Sequence, residues 1–331
     1  MANLTAPEQD RAARSVTHGA AGDVWADRIF RGLALVAGLA VLAVLALIAI
    51  STTDQAWPAF KSEGLSFVTS DTWIPNENKF GALAFIYGTL YTSLIAIVIA
   101  VPISLGIALF TTELAPRRLR RPTIYVIDLL AAIPSVVYGL WGILVLAPWI
   151  QPKYQSIADS IGSLPVLGRI FGPPVSGGRG FMTAGLILAV MITPIVTALS
   201  REALATVAQE DKNAALAMGA TRWEMLRVTV FPRVRAGIVG AVMLGLGRAM
   251  GETIAVALTI GSVARITTKV FSSGDTMAGV IANQFGEATG THRAALIGLG
   301  VVLFVITILV NVMARVALSI TGGATGGKGA M

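Results

Sequence analysis

Apolar residues in this chain run in blocks longer than any soluble helix face requires. Six stretches, at 29–50, 82–111, 124–149, 181–200, 237–262 and 294–318, reach the ~20 apolar residues with which an α-helix crosses a hydrocarbon core. Polar segments separate them. The pattern predicts an all-α integral membrane protein with six spans. Spans two and three are longer than the membrane requires, which predicts tilt or extension beyond it. Pro102, Pro134 and Pro194 lie inside spans two, three and four. In a helix bundle, neighbouring groups can satisfy the carbonyls they free.

The cationic residues set the orientation. With the N-terminus inside, 16 of the 25 Lys and Arg fall on the cytoplasmic side, eight fall outside, and Arg248 lies within a span. Reversal would put the cluster Arg117, Arg118, Arg120 and Arg121 outside, against the positive-inside bias. Both termini are predicted to be cytoplasmic. Residues 1–28 are polar and read as a disordered tail, and 319–331 are Gly-rich and read as flexible. The first span reads as an uncleaved signal anchor. Residues 82–318 form the core, with a cytoplasmic loop at 201–236. The outer segments, 51–81 and about 150–180, are long enough for short interfacial helices. In them Trp57, Phe60, Phe67, Trp73, Trp149 and Tyr154 either fit the headgroup aromatic belt or cap the bundle.

Composition removes several function classes. The chain is 55% hydrophobic and 13% charged, with no Cys and only two His. Its mean hydropathy is +0.75. Thiolate metal centres are excluded, two His give little basis for a His-based one, and no nucleophile–base constellation lies in the spans. No Gly-x-x-x-x-Gly-Lys-Ser/Thr loop is present, so the chain is not expected to bind ATP itself. The net charge of +7 follows membrane topology and not a nucleic-acid surface.

The loop between spans four and five has a defined local pattern. Leu204–Met218 is helical in composition, and Gly219 is a natural C-cap. Thr221-Arg222-Trp223-Glu224 has capping-box spacing, which predicts a second helix over 222–231 stopping near Pro232. Ala214, Ala215 and Ala217 make a small face that another surface could approach. Lys212, Arg222, Trp223 and Arg227 flank it as anchors.

Span five carries Arg248 and Glu252. Starting from Gly237, Arg248 lies roughly 16 Å along the helix at 1.5 Å per residue, near the midplane of a core about 30 Å thick. An unpaired Arg there costs about 2.5–3.5 kcal/mol or more. Glu252, four residues on, is predicted to share its face and pair with it. Gly247 and Gly251 offer a small edge for helix packing. The pair either cements packing or forms a transient anion site in a conduction path, with Thr253 beside it. Ser135, Tyr138 and Thr193 are weaker path candidates. Asp128 is predicted to pair with the Arg117–Arg121 cluster.

Residues 213–238 resemble the EAA loop of ABC importer permeases. The matching positions are Ala214-Ala215, Gly219, Val230-Phe231-Pro232 and Gly237-Ile238, with Asn213 where that family usually has Glu. The run Leu129 to Gly142, together with Phe80-Gly81-Ala82, Tyr87 to Leu90 and Gly245 to Thr253, is similar to the phosphate-importer permeases of the PstC type. The Arg-x-x-Gly-Glu part is shared with the sister PstA type. The resemblance implies the MetI-like, type I permease fold in a bacterial cytoplasmic membrane. It implies inorganic phosphate as the transported ion, with Arg248, Glu252 and Thr253 on its path. It implies a PstA-like permease partner, two copies of a PstB-like cytosolic ATPase binding ATP and Mg, and a PstS-like extracytoplasmic phosphate-binding protein. The segment containing Asn213, Ala214, Ala215, Gly219, Arg222, Trp223 and Glu224 would be the coupling helix seated on the ATPase. Where Asn213 lacks the usual carboxylate, Glu210 or Asp211 could make that contact.

The residues alone leave two other classes open. One is an importer permease for another oxyanion or small solute. The other is an ATP-independent secondary transporter, which often shows inverted repeats and several intramembrane charges. This chain has one such charge pair and no detectable repeat.

Overall fold

The computed structural model describes residues 21–162, 164–165 and 167–322, so most of the polar N-terminal tail and of the Gly-rich tail lies outside the described residues. The chain divides between Asp54 and Gln55 into two compact units. In the first, helix α1 (Ala21–Glu63, which continues into the second unit) exposes its apolar side chains along nearly its whole length, among them Phe30, Leu42 and Ile50. Such a surface suits acyl chains and not water.

The second unit begins with the end of α1 and a two-stranded antiparallel hairpin, β1 (Trp73–Ile74) and β2 (Lys79–Phe80). Its helices follow as α2 (Leu83–Leu109), α3 (Arg117–Ala132), α4 (Ser135–Trp141), α5 (Ala147–Ile161) and α6 (Phe181–Ala205). Next come α7 (Gln209–Ala217), α8 (Arg222–Met225), α9 (Phe231–Met250), α10 (Ile254–Ile260), α11 (Met277–Gln284) and α12 (Gly290–Gly322). Among the described residues, six helical stretches are long and apolar enough to cross a membrane: Asp27–Glu63, Leu83–Leu114, Ser135–Ile161, Ser176–Ala205, Arg222–Met250 and Gly290–Val316.

The core is built on α2 against α6. Ala96, Ala100, Ala184, Leu188, Ala189 and Ile192 lie in one buried cluster with Phe181 and Val256. Small residues set this distance, because a Cβ at Gly185 would lie 2.4 Å from Cγ2 of Ile95. On α9, Gly237, Ala241 and Gly245 form the small stripe facing α6. A Cβ would lie 2.7 Å from Ala203 at Gly237 and 2.6 Å from Val196 at Gly245. The sequence pointed instead to Gly247 and Gly251. An added Cβ would meet nothing within 4 Å at Gly247, and at Gly251 only carbonyls of its own helix end.

Prolines act differently from site to site. Pro102 and Pro194 sit inside continuous helices. Pro134 breaks the expected span at 124–149, since Ile133 is forced to an extended backbone and α3 ends at Ala132. The membrane-length stretch therefore begins at Ser135, and α3 is a separate, strongly amphipathic helix. Asp128 on α3 is exposed and forms no ion pair among the described residues, contrary to expectation.

The outer aromatic residues divide. Trp57 and Trp149 are exposed, as a headgroup belt requires. Phe60, Phe67 and Trp73 pack inward with Phe80, Phe85 and the start of α12, and Nε1 of Trp73 donates to Gln284 at the end of α11 at 3.0 Å. Tyr154 stacks on Phe271 with ring centroids 4.2 Å apart.

Candidate functional site

Two neighbourhoods carry the chemistry anticipated from the sequence. The first is the segment joining α6 to α9. Helix α6 stops at Ala205, and α7 begins four residues later at Gln209. Gly219 ends the α7 turn at φ +89°, a backbone conformation that disfavours any Cβ. Thr221 then caps α8. Its hydroxyl accepts the Glu224 N–H at 3.3 Å, while its own N–H donates to the Glu224 carboxylate at 2.8 Å. The Thr221 hydroxyl also donates to the same carboxylate at 2.8 Å.

The second helix does not stop at Pro232. It passes through a π turn at Leu226–Val230 and continues without interruption to Met250. The wider turn gives a residue without an N–H a place near the start of the next α segment. The segment from Arg222 and span five are therefore one rod. Beneath it, Leu204, Val207, Met225, Leu226, Val230 and Val234 form a buried cluster with Ala108 at the end of α2.

The charges here are arranged differently from the sequence reading. Lys212, expected as a surface anchor, is buried, and its Nζ lies 2.6 Å from Oε1 of Glu113. Only 7% and 13% of the two side chains are exposed, so the pair ties α7 to the end of α2. Asp211 pairs with Arg233, which leaves Glu210 as the exposed carboxylate without an ion pair among the described residues. The side-chain carbonyl of Asn213 accepts from Gln209 at 3.1 Å and faces solvent. Ala214, Ala217, Met218, Arg222 and Trp223 are exposed, and Ala215 is half-buried. Ala214, Ala215, Met218, Gly219 and Val228 line a groove of about 580 Å³.

The second neighbourhood is the break in span five. The expected continuous helix over 237–262 is interrupted at residues 251–253, between α9 and α10. Arg248 and Glu252 consequently do not share one helical face, and they form no ion pair among the described residues. Arg248 stands exposed in the last turn of α9, where the negative end of the helix dipole favours a cation. Glu252 is buried at the start of α10, its Oε1 accepting the Ala255 N–H at 3.5 Å. Each charge is stabilised by a helix end and not by the other. Thr253 directs its hydroxyl to the Gly251 carbonyl at 3.3 Å.

Of the weaker candidates, Tyr138 has a structural role. Its hydroxyl donates to the Leu130 carbonyl at 2.8 Å, satisfying an acceptor freed by the Pro134 break. Tyr138 shares a cluster with Ala255, which brings α4 onto α10. Their approach is close, since a Cβ at Gly139 would lie 2.9 Å from Cα of Ala255. The two helix breaks are thus neighbours in the bundle. Ser135 is half-buried in the first turn of α4. Thr193 bonds back to the Ala189 carbonyl at 2.7 Å. Neither hydrogen-bonds to Arg248 or Glu252.

The segment between α10 and α11 is a feature sequence reasoning missed. Phe271, Ser272, Ser273, Asp275 and Thr276 are buried. The segment is pinned by backbone bonds from Phe181 to Ser272 at 3.0 Å and from Met182 to Val270 at 2.8 Å. It fits because Gly88 lacks a side chain, as a Cβ there would lie 1.9 Å from the Asp275 carbonyl oxygen. Burial pushes the Asp275 carboxyl up to about 6, although the Thr276 N–H opposes the shift. The one legible signal was Gly88, between Tyr87 and Thr89 near the start of α2.

Comparison with known proteins places these features in a family. Residues 100–318 match the model for the binding-protein-dependent transport system inner membrane component. A phosphate transport system permease protein PstC from Xylella fastidiosa is 46% identical over 299 residues, covering 89% of this chain and 91% of that protein. PstC of Mesorhizobium japonicum is also 46% identical, over 91% of this chain and 92% of its own length. PstC of Haemophilus influenzae is 43% identical over 89% and 94%. Among solved structures, a bacterial alginate ABC transporter chain aligns at TM-score 0.58 and 15% identity, covering 89% of this chain and 97% of its own. A chain of the inward-facing MetNI methionine ABC transporter aligns at TM-score 0.52 and 18% identity, over 71% and 94%. These two likenesses establish the fold, a six-span, all-α ABC-importer permease of the MetI-like kind. Family match and sequence identity together place the chain among the binding-protein-dependent transport system inner membrane components and, within them, among the PstC permeases of phosphate transport systems.

Proposed function

We propose that this chain forms half of the membrane path through which an ATP-driven importer carries inorganic phosphate into the cell. The observation that carries the reading is the free guanidinium of Arg248 at a helix break inside the membrane-spanning region. Its donors are not taken up by Glu252, so they can grip two phosphate oxygens at once. A bare Arg at that depth costs about 2.5–3.5 kcal/mol or more unless water or an anion reaches it, which favours a wetted path. Buried Glu252, held at the start of α10, supplies a nearby negative charge that keeps phosphate from binding too tightly to leave. Thr253 offers a further hydroxyl.

A PstA-like permease completes the path, and a PstS-like protein delivers phosphate from outside. Two PstB-like ATPases bind ATP and Mg, since this chain lacks a phosphate-binding Gly-rich loop of its own. One of them docks on Asn213, Ala214, Ala215, Gly219, Arg222, Trp223 and Glu224, with Glu210 as the free carboxylate. The continuous rod from Arg222 to Met250 supports this reading, because motion at its cytoplasmic end displaces Arg248 directly. The alternation of access then follows from tilting one rigid element.

Both termini face the cytoplasm in this reading, supported by the distribution of Lys and Arg. The chain contains no Cys, so single cysteines introduced near residue 62 and residue 220 report sidedness without background. The decisive experiment is uptake by the reconstituted complex, with and without the ATPase, across phosphate, sulfate and molybdate. Phosphate uptake that requires the ATPase is expected. Equal stimulation of ATP hydrolysis by sulfate or molybdate would move the chain to another oxyanion, and uptake without the ATPase would end the reading.

A further inference from the structure

Helix α3 carries Arg117, Arg118, Arg120 and Arg121 around a concavity of about 480 Å³ whose remaining wall is Ile124. All four are exposed, and none forms an ion pair among the described residues. No carboxylate occupies the first turn. Asp128, two turns further on, is the one acid on the helix, so the patch stays strongly positive. Nothing in the transport reading uses these four guanidiniums.

The surface continuing from them is apolar. Arg118, Arg121, Tyr125 and Leu129 recur at spacings of three and four and therefore share one side of α3. Tyr125 is 67% and Leu129 68% exposed, and Val126 beside them is also exposed. From Arg121 to Leu129 is roughly 12 Å along the helix, about the distance from headgroup phosphates into the acyl boundary. Charge, then an aromatic ring, then aliphatic side chains is the order that matches a bilayer from its headgroups inward. A soluble acidic protein would match the arginines but leave Tyr125, Val126 and Leu129 in water.

We propose that α3 is a binding site for acidic phospholipid, with the phosphodiester headgroup in the arginine-lined concavity and the acyl chains along Tyr125 and Leu129. Guanidinium forks suit phosphodiester oxygens, and basic residues at a membrane surface attract anionic lipid. Assignment to the inner leaflet rests on the cytoplasmic orientation of the termini, whereas retention of acidic lipid does not. Failure of one is therefore distinguishable from failure of the other.

The test is native mass spectrometry of the purified complex after delipidation and re-addition of equal phosphatidylglycerol and phosphatidylcholine. The native chain is expected to retain phosphatidylglycerol in preference. R117Q/R118Q/R120Q/R121Q is expected to lower that preference roughly tenfold or more, with the fourfold Arg→Lys chain keeping most of it. Should the fourfold Gln chain fail to assemble, R118Q/R121Q is read in the same assay and is expected to lose a substantial part of it. Unchanged preference in the Gln variant that assembles overturns the proposal. So does displacement of the lipid by millimolar inorganic phosphate, which would make the concavity a site for the free ion. Loss of the ATPase from the Gln variant with acidic lipid still bound would assign the surface to that subunit and overturn it equally.

Discussion

Charge is handled in opposite ways near the two ends of the helical rod from Arg222 to Met250. Near its Arg222 end, Lys212 is drawn out of solvent and pairs with Glu113. At its membrane end, Arg248 and Glu252 stand apart, although their spacing suggested a pair. The difference lies in what else is available. Around Lys212 and Glu113, Leu114, Leu216, Met225 and Leu226 exclude much of the water, so an opposite charge compensates burial. At the break, a helix end favours each charge and removes the need for a direct pair. Burial demands a partner in the first case, and backbone dipoles substitute for one in the second. One end is thereby tied to the core, while the other leaves a cation exposed.

The largest effect is expected at the free charge. Arg248→Gln should reduce phosphate uptake to background while the chain remains in the membrane in normal amount, measured by radiolabelled uptake and immunoblotting of the same vesicles. Uptake near the native rate would separate Arg248 from the path and remove half of the contrast.

The tied charge is tested through its partner. Lys212→Met leaves the Glu113 carboxylate buried and alone, and should destabilise the α7 region by about 3–5 kcal/mol. Lys212→Met with Glu113→Leu should recover most of that loss, read as hydrogen-exchange protection over residues 209–217. Equal losses in the single and double variants would show that the pair does not couple.

A smaller effect is expected where backbone approach replaces charge altogether. Gly88→Ala would place a methyl group 1.9 Å from the Asp275 carbonyl and should cost about 1–3 kcal/mol, seen as faster proteolysis within 261–276. Gly106→Ala, with nothing within 4 Å of the added carbon, serves as the control and should leave that segment unchanged.

Asp275 gives the same segment a pH dependence. Its carboxyl is raised from 3.8 to about 6 by burial, so its contribution is fully present below about pH 4 and is lost as pH rises through about 6. Exchange protection over 261–276 should therefore fall between pH 5 and pH 7 in the native chain and stay level in Asp275→Asn. A native profile flat over that interval would refute the shift.

The smallest effect belongs to the cap. Thr221→Ala should cost about 1 kcal/mol, confined to the start of α8, with transport slowed and not abolished. A loss of uptake comparable to that of Arg248→Gln would show that the cap participates in docking itself.

The amino-acid sequence alone determined what depends on neighbours along the chain. Apolar runs announced six stretches of membrane length, Gly219 announced a positive φ, and Thr221 with Glu224 announced a reciprocal cap, since each signal lies within one contiguous segment. Tertiary structure decided where helices break and which charges meet. Pro102, Pro134 and Pro194 look alike in sequence, yet only Pro134 ends a helix, with Tyr138 receiving the freed carbonyl of Leu130. Glu113 and Lys212 are 99 residues apart and meet only because α7 folds against the end of α2. Arg248 and Glu252 are four residues apart and do not meet, because the helix between them ends. Hydrophobic periodicity and capping act over about 5 Å of chain, whereas burial of charge is settled by whichever distant segment excludes the water.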